Sequence, residues 1–325
     1  MRIDEILYTQ GFGTRRVCAG LVQQGFVTVD GAAGPATLAA LYSANVVPAQ
    51  AIAEERLTAL NNTTRELEEQ RATGAIQGSL AGGGVAASYN NTLYYAGGSN
   101  GSLYMSTSGG AVSRIYDAPV GFVHATAKGV TFVSDGKIMR VPLNGGTAQT
   151  IVSAGGIKKL ALLGETMYYL EGNALVKASS NADATVLMTG VTDFTLDVYQ
   201  YTAYLVTDAG VMSLSLTTGG ERLLVSTAAS QAQVCDSVVF FRSGGRIYRL
   251  QDGVSVQLID AEATWMGIYR DMIYYISGDR LYRCETTGQN SQVFYDGQAA
   301  DVSFVAGKVY ITQIAGGPVA QVLPV

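Results

Sequence analysis

The feature that most constrains the fold is a repeat of about 36 residues, which recurs from about residue 85 to the last residue, Val325. Each unit holds a short apolar strand, a turn rich in Gly, Asp or Asn, and a second strand. The first strands of these hairpins read TLYYA (92–96), VTFV (130–133), TMYYL (166–170), TAYLV (202–206), SVVFF (237–241), MIYYI (272–276) and KVYIT (308–312). Their turns need positive φ, which Gly, Asn and Asp tolerate best. The repeat therefore predicts a series of hairpins with no room for long helices.

Two further strands complete each unit, as FTLDVYQ and ERLLVST do around the hairpin of 202–215. Four short strands in each repeat are typical of a β-propeller blade. We predict an all-β fold, a β-propeller of seven four-stranded blades, with six as the alternative if one terminal unit packs elsewhere. The seventh unit lacks a fourth strand, and an open strand edge invites aggregation. We expect residues 75–82 to supply that strand and close the ring.

Composition agrees with this architecture and limits the function. Charged residues make up 14% of the chain, while Gly and Tyr number 39 and 19, as in β proteins with many tight turns. A net charge of -5 argues against nucleic-acid binding through the whole surface. The chain contains no apolar run of membrane-spanning length, and its first residues include no apolar stretch of signal-peptide length, so no signal peptide is expected. As written it is expected to be cytoplasmic, or part of the cell envelope if the sequence has been trimmed.

Three parts follow from these patterns: a small helical module (1–47), a helical linker (48–73) and the propeller (74–325). The linker places Ala53, Leu57, Leu60, Thr64 and Leu67 at alternating spacings of four and three, as on one face of a helix. Two heptads are too few for a stable coiled coil alone. We therefore expect the helix to pack on the propeller or on the module, with self-association as the alternative.

The repeat resembles the low-density-lipoprotein-receptor-like propeller domains of bacterial proteins of unknown function. Units of that family carry an "LYY…G.LYR…GG" pattern, matched best by NTLYY…GSLYM…GG (91–110) and by DMIYYISGDRLYR (271–283). The resemblance covers about 240 residues and implies the architecture, but such propellers host many roles.

The first residues, RIDEILYTQGFGTRRVCAGLVQQGFVTVDG, suggest two short helices and a strand. This segment (1–31) resembles the alpha-L RNA-binding motif of ribosomal-RNA pseudouridine synthases. The resemblance implies that Arg15 and Arg16, together with Arg2, contact RNA phosphates. Phe26 stands where that family usually has Arg or Lys. Two or three cationic contacts would give weak, salt-sensitive binding.

A second resemblance overlaps the first. Residues 25–49, GFVTVDGAAGPATLAALYSANVVPA, are similar to the end of a peptidoglycan-binding module with the pattern "VDG.AGP.T..AL". This similarity implies an envelope-associated protein tethered to peptidoglycan. A small helical cap without a ligand is the third interpretation of this region.

No constellation for catalysis, metal binding or a cofactor is visible, so we predict none. His124 is the single histidine and lies in an alternating strand, where a structural role is expected. Cys18, Cys235 and Cys284 are expected to be buried and unreactive. Six carboxylates near blade junctions are left as candidates for paired-carboxylate chemistry, with solvated loop residues as the alternative: Asp117, Asp193, Asp197, Asp236, Asp260 and Asp301.

Aromatic pairs recur in the first hairpin strands, namely Tyr94–Tyr95, Tyr168–Tyr169 and Tyr274–Tyr275. Strand alternation places one ring of each pair on each face of the blade, which favours packing between blades over stacking on sugars. Together these patterns favour a non-enzymatic propeller that binds a protein, peptide or carbohydrate on its loop face. RNA association and peptidoglycan tethering through the N-terminal module are the alternatives.

Overall fold

The structure is a computed structural model, and it describes residues 49–325. The chain divides into two units, residues 1–65 and 66–325. Helix α1 spans Ala49–Thr73. Its residues up to Arg65 belong to the first unit, and its residues from Glu66 onward belong to the second. None of the helices among the described residues has the length and hydropathy that crossing a bilayer requires.

The second unit is a β-propeller of seven blades, as the repeat predicted. Strands in each blade are antiparallel and follow chain order. Blade 1 consists of β1 (Ala86–Tyr89), β2 (Thr92–Gly97), β3 (Ser102–Ser106) and β4 (Val112–Tyr116). Blade 2 consists of β5 (Gly121–Thr126), β6 (Gly129–Ser134), β7 (Lys137–Val141) and β8 (Gln149–Val152). Blade 3 consists of β9 (Ile157–Leu163), β10 (Thr166–Glu171), β11 (Ala174–Ala178) and β12 (Thr185–Thr189). A short 3-10 helix, Asn181–Asp183, precedes β12.

Blades 4 to 6 repeat this pattern, and blade 7 has three strands among the described residues. Blade 4 consists of β13 (Val191–Asp197), β14 (Thr202–Thr207), β15 (Gly210–Ser215) and β16 (Glu221–Val225), and blade 5 of β17 (Gln231–Cys235), β18 (Val238–Ser243), β19 (Arg246–Gln251) and β20 (Val254–Ile259). Blade 6 consists of β21 (Ala263–Tyr269), β22 (Met272–Ser277), β23 (Arg280–Glu285) and β24 (Gln292–Tyr295). Blade 7 consists of β25 (Asp301–Val305), β26 (Lys308–Thr312) and β27 (Val319–Pro324). The first strand of each blade is innermost. We call the face where these first strands begin the upper face, and the face where they end the lower face.

Aromatic side chains pack the blades against one another, as strand alternation predicted. Tyr274 is 0% exposed and contacts the ring of Phe304 in blade 7 at a centroid distance of 5.0 Å. Its neighbour Tyr275 points to the other face of the blade, where it stacks on Tyr282 at 5.2 Å. Tyr94 and Tyr168 are buried in the same way. These tyrosines are therefore part of the core and are not available to stack on a sugar.

Residues 74–84, which we call the channel segment, run along the axis of the ring. At the lower end the carbonyl of Gly74 accepts a hydrogen bond from Ala125 N at 2.8 Å, near the end of β5. At the upper end the carbonyl of Gly84 accepts one from Val123 N at 2.7 Å, near the start of the same strand. Between them lies the 3-10 helix Gln77–Ala81, which packs against the innermost strands β9, β13, β17, β21 and β25.

This arrangement corrects the expectation that residues 75–82 form the fourth strand of blade 7. The segment AIQGSLAG instead fills the central channel, and Ala75, Ile76 and Leu80 are at most 3% exposed. A short apolar segment with two glycines can enter a narrow axis because its backbone needs little space. Several of its backbone groups bond to the inner strands, and the backbone N–H of Gln77 bonds Glu69 of α1.

Blade 7 is tied to the beginning of the propeller through this segment. The Ser79 hydroxyl accepts a hydrogen bond from Phe304 N at 2.7 Å and lies 3.2 Å from the Phe304 carbonyl, to which it can donate. Ser303 Oγ accepts a hydrogen bond from Val85 N at 2.9 Å. Apolar packing of Ala86 against Val305 and Tyr310 adds to these bonds where the first and last blades meet. The ring therefore closes by the channel segment and by side-chain packing.

The close fit of the channel segment predicts a large effect of one added methyl group. A Cβ at Gly78 would lie 2.0 Å from the carbonyl oxygen of Ile268, which is fixed in β21. We expect Gly78→Ala to lower the free energy of unfolding by roughly 1–3 kcal/mol or more, because this backbone cannot move aside. Chemical denaturation measures the change.

Gly83→Ala is the matched control in the same segment. The nearest atom to a Cβ at Gly83 is 3.5 Å away, an ordinary contact. Its free energy of unfolding should stay within about 1 kcal/mol of the wild type. Equal stability of the two variants would show that the segment is not held tightly in the channel.

Candidate functional site

The candidate RNA-contacting residues Arg2, Arg15 and Arg16 lie outside the residues that the structure describes. The same holds for Cys18 and for residues 25–48 of the peptidoglycan-binding resemblance. The candidate sites that can be built from side chains are therefore those of the propeller. They lie at the upper mouth of the channel, on the upper face, and at one group of turns on the lower face.

Gln231, the first residue of β17, joins the channel segment to blade 6 at the upper mouth. Its Nε2 donates to the carbonyl of Ala81 at 2.9 Å, and its Oε1 accepts from Met266 N at 2.9 Å. One buried side chain thus satisfies a backbone acceptor of the segment and a backbone donor of a blade. The two bonds hold the channel segment in place.

Asp301 lies at the same mouth, at the start of β25. Its Oδ2 accepts a hydrogen bond from Gly316 N at 2.8 Å. Burial raises the pKa of this carboxyl, although the backbone N–H groups of Gly316 and Gly83 act in the opposite direction. A Cβ at Gly82 would lie 2.5 Å from Asp301 Oδ1 and 2.8 Å from Trp265 Nε1, so only glycine allows the chain to pass between them.

An ion pair between two inner strands lies on the opposite side of the ring. Lys159 Nζ of β9 is 2.6 Å from Asp193 Oδ1 of β13, and their side chains are 7% and 13% exposed. The other oxygen of Asp193 accepts from Ala232 N of β17 at 3.2 Å. Because the carboxylate bonds both the lysine and a backbone N–H of β17, this pair links blades 3, 4 and 5.

The remaining candidate carboxylates have separate partners. Asp117 pairs with Arg114 at 2.8 Å, Asp260 with Arg246 at 2.7 Å, and Asp197 accepts from Tyr199 N at 3.0 Å in its own turn. Asp236 lies in the β17–β18 turn of the lower face. The structure therefore distributes the six carboxylates over blades 1, 4, 5 and 7.

His124 is completely buried in β5 and faces the end of α1. Its Nδ1 is 2.7 Å from the carbonyl oxygen of Thr73, and its Nε2 is 3.2 Å from the carbonyl oxygen of Leu160. Burial lowers the pKa of His124 to about 4, against the opposing effect of the two carbonyl groups. A neutral ring that donates to Thr73 joins the start of the channel segment to blade 2, so the position of His124 is that of a structural residue.

Three side chains on the lower face could in principle ligate a metal ion. The ligand atoms of Cys235, Asp236 and Asp271 lie within 4.8 Å of one another. The Cys235 thiol already donates to Asp271 Oδ1 at 3.4 Å. Zn²⁺ accepts both sulfur and carboxylate oxygen ligands, and this set supplies three ligand groups where a structural zinc site holds four. Cys284 is buried elsewhere in blade 6, and burial raises the pKa of its thiol to about 11.

The upper face carries carboxylates at its turns between the second and third strands. Asp135, Asp208 and Asp279 in blades 2, 4 and 6 are exposed, and Glu171 in blade 3 is half-buried. Glu262 lies in the connection before β21. Asp208, Glu262 and Asp279 form no ion pair with any residue in the described range, and all three are exposed. Exposed negative charge of this kind attracts cationic groups.

Comparison with known proteins gives a family match for the first residues of the chain and similar solved structures for the propeller. A family model described as the S4 domain matches residues 1–32, which fits the RNA-binding resemblance of residues 1–31. A search of curated protein sequences found no significant match. Because the matched family covers only the first residues, the S4 similarity describes one segment and not the whole chain.

Solved structures resemble the propeller in fold only. A chain of a mitotic checkpoint complex is 10% identical with a TM-score of 0.54, over 74% of this chain and 90% of that chain. The N-terminal domain of Nup159 is 12% identical with a TM-score of 0.47, over 74% and 90%. A chain of a nidogen–laminin complex is 14% identical with a TM-score of 0.46, over 63% and 92%. These similarities do not identify the bacterial family that the repeat resembles.

The buried neutral His124 predicts that stability falls as pH is lowered. The unfolded chain binds a proton near the usual pKa of 6.5, whereas the folded chain does so only near 4. Between these values the unfolded state holds more protons, so acidification from pH 6.5 to 4 should remove about 3 kcal/mol of folding free energy. Denaturant titrations at several pH values measure this loss.

The control is His124→Gln, which keeps an N–H donor for Thr73 but does not titrate in this range. The difference in stability between wild type and variant isolates the histidine from the carboxylates, including Asp301. The difference should change by about 1.4 kcal/mol for each pH unit within the window. A difference that is independent of pH would show that His124 is not held neutral.

Proposed function

We propose that this protein is a non-catalytic recognition scaffold whose upper face binds a partner protein or peptide rich in basic residues. The propeller fold supports a binding or scaffold role. The observation that carries the proposal is the filled channel. The axis of the ring, where a propeller could admit a small ligand, is occupied by residues 74–84 of the same chain. A partner would then bind on an outer surface of the propeller and not in its channel.

Charge supports the upper face as the surface and a basic segment as the ligand. Asp208, Glu262 and Asp279 are exposed carboxylates without a described cationic partner. Ile314, in the turn between β26 and β27 on the same face, is 71% exposed. Opposite charge speeds encounter and selects the partner, while an apolar contact contributes to affinity. A carbohydrate ligand has less support, because five of the six paired tyrosines are buried and only Tyr95 is half-buried.

This proposal can be tested with a labelled oligolysine peptide and a pair of charge-reversal variants. Asp208→Lys with Asp279→Lys should weaken binding of the peptide at least about tenfold at low salt, because the two changes reverse the local field. Fluorescence anisotropy measures the affinity. Added salt should weaken binding to the wild type as well.

The control variant carries Glu221→Lys and Asp252→Lys, which make the same change in net charge near the lower ends of β16 and β20. It should bind within about threefold of the wild type, since screening limits the reach of surface charges to about a Debye length. If both variants lose the same affinity, net charge rather than the upper face attracts the peptide. The upper-face proposal would then be wrong.

A second function, RNA association, is favoured by the S4 match at residues 1–32. We propose that Arg2, Arg15 and Arg16 contact phosphates, while the acidic propeller stays away from the RNA. Residues 1–65 hold five basic and five acidic residues, which leaves the whole net charge of -5 to residues 66–325. An RNA contact would therefore be confined to the N-terminal segment.

Changing Arg15→Glu and Arg16→Glu together should abolish binding of a single-stranded RNA oligonucleotide at about 50 mM salt, because few phosphate contacts hold the complex. For the wild type, log K should fall with log salt by roughly 0.7 for each contact. Gel-shift titration measures both. The control, Lys158→Glu with Arg222→Glu, changes two exposed cations of the propeller and should leave binding intact. Retained binding by the Arg15 and Arg16 variant would refute the assignment.

A further inference from the structure

Two hairpin turns of neighbouring blades bring three metal-ligating side chains together on the lower face. Cys235 is the last residue of β17, and Asp236 follows it in the β17–β18 turn of blade 5. Asp271 lies in the β21–β22 turn of blade 6. The ligand atoms of these three residues, which we call the lower-face triad, lie within 4.8 Å of one another. In the part of the chain that the structure describes, no other three His, Cys, Asp or Glu side chains come as close.

The backbone that presents the triad is short on both sides. Each turn contains two residues, and all four have positive φ: Asp236 and Ser237 at 48° and 62°, and Arg270 and Asp271 at 50° and 59°. Such two-residue turns match the twist of a hairpin and leave the chain little freedom. The side-chain amide of Gln200 in blade 4 also donates to the Ser237 hydroxyl. The ligand groups are therefore carried by tight turns and not by long loops.

The distance between the thiol and one carboxylate matches the spacing of two ligands on one zinc ion. A tetrahedral Zn²⁺ with bonds of about 2.3 Å to sulfur and about 2.1 Å to oxygen places these two ligands about 3.6 Å apart. In the triad, Cys235 Sγ lies 3.4 Å from Asp271 Oδ1. Because Asp236 is exposed, its carboxylate can rotate toward the same centre. The three groups can thus surround one small cation without movement of either turn.

The combination of one sulfur with two carboxylates selects among metal ions. Ca²⁺ and Mg²⁺ prefer sites made of oxygen ligands, and Cu⁺ prefers sulfur, whereas Zn²⁺ accepts thiolate and carboxylate together. A thiolate and two carboxylates carry three negative charges, which a divalent cation offsets. Arg270, beside Asp271 in the turn, pairs with Glu66 at 2.8 Å, so its charge is matched by α1.

We propose that Cys235, Asp236 and Asp271 bind one Zn²⁺ ion, with water in the fourth position, and so join blades 5 and 6 at the lower face. A sulfur–zinc bond replaces the bond between sulfur and hydrogen, and the proton leaves to the solvent. Three protein ligands and one exchangeable water make the open type of zinc site. This site is independent of the peptide binding proposed for the upper face.

Titration calorimetry of the reduced, metal-free full chain with Zn²⁺ tests the proposal. The wild type should bind one zinc ion per chain with a Kd of about 10 µM or tighter. Cys235→Ser should weaken binding at least about 100-fold, and Asp271→Asn at least about tenfold, since loss of even an outer partner of a ligand costs about 10–100-fold in affinity.

Two matched variants serve as controls. Cys18→Ser removes a thiol outside the triad, and Asp252→Asn removes another exposed carboxylate near the lower end of β19. Because neither residue belongs to the triad, both variants should bind zinc within about threefold of the wild type.

Cobalt substitution identifies the sulfur ligand in the wild type without relying on the folding of a variant. Co²⁺ bound by the wild type and by Cys18→Ser should show a sulfur-to-cobalt charge-transfer band in the near ultraviolet. Zinc binding weaker than expected, unchanged affinity in Cys235→Ser or Asp271→Asn, or lost affinity in either control would overturn the proposal. A cobalt complex of the wild type without the sulfur band would overturn it as well.

Discussion

The propeller depends on hydrogen bonds between its inner strands and the channel segment. Ser79 bonds the backbone of Phe304, Gln231 bonds Ala81, and the carbonyls of Gly74 and Gly84 bond the two ends of β5. These bonds reach blades 2, 5 and 7 from one continuous stretch of chain. Buried backbone groups that lose such partners are costly, so the segment and the inner strands must form together.

Ring closure follows from that central contact. Many repeat architectures could close by sharing one sheet between their first and last units, but here β1 and β25 meet without a shared ladder among the described residues. Packing of Ala86, Val305 and Tyr310 fills the junction, and the Ser303–Val85 bond crosses it. The channel segment also bonds blades 2 and 7 from the axis, which adds to this junction.

Much of this fold could be predicted from local sequence, and the exceptions have a physical cause. Hairpin turns and paired tyrosines such as Tyr274–Tyr275 depend on neighbours within one repeat, so their spacing indicated the blades and their packing. The conformation of residues 75–82 depends on partners more than 140 residues away, including Gln231 and Phe304. Nor could spacing reveal that Lys159 pairs with Asp193, because that ion pair depends on how blades 3 and 4 adjoin.

The route of the chain through the axis has a mechanical consequence. Tension on the chain before Glu66 reaches the propeller through α1 and is resisted first by the Glu66–Arg270 ion pair at 2.8 Å and by the His124–Thr73 contact. Behind them the load falls lengthwise on the channel segment, whose bonds to several blades are strained together rather than one at a time. Attachment through the channel segment therefore distributes a pulling force over several blades. A terminal strand at the edge of a sheet would instead lose its hydrogen bonds one after another.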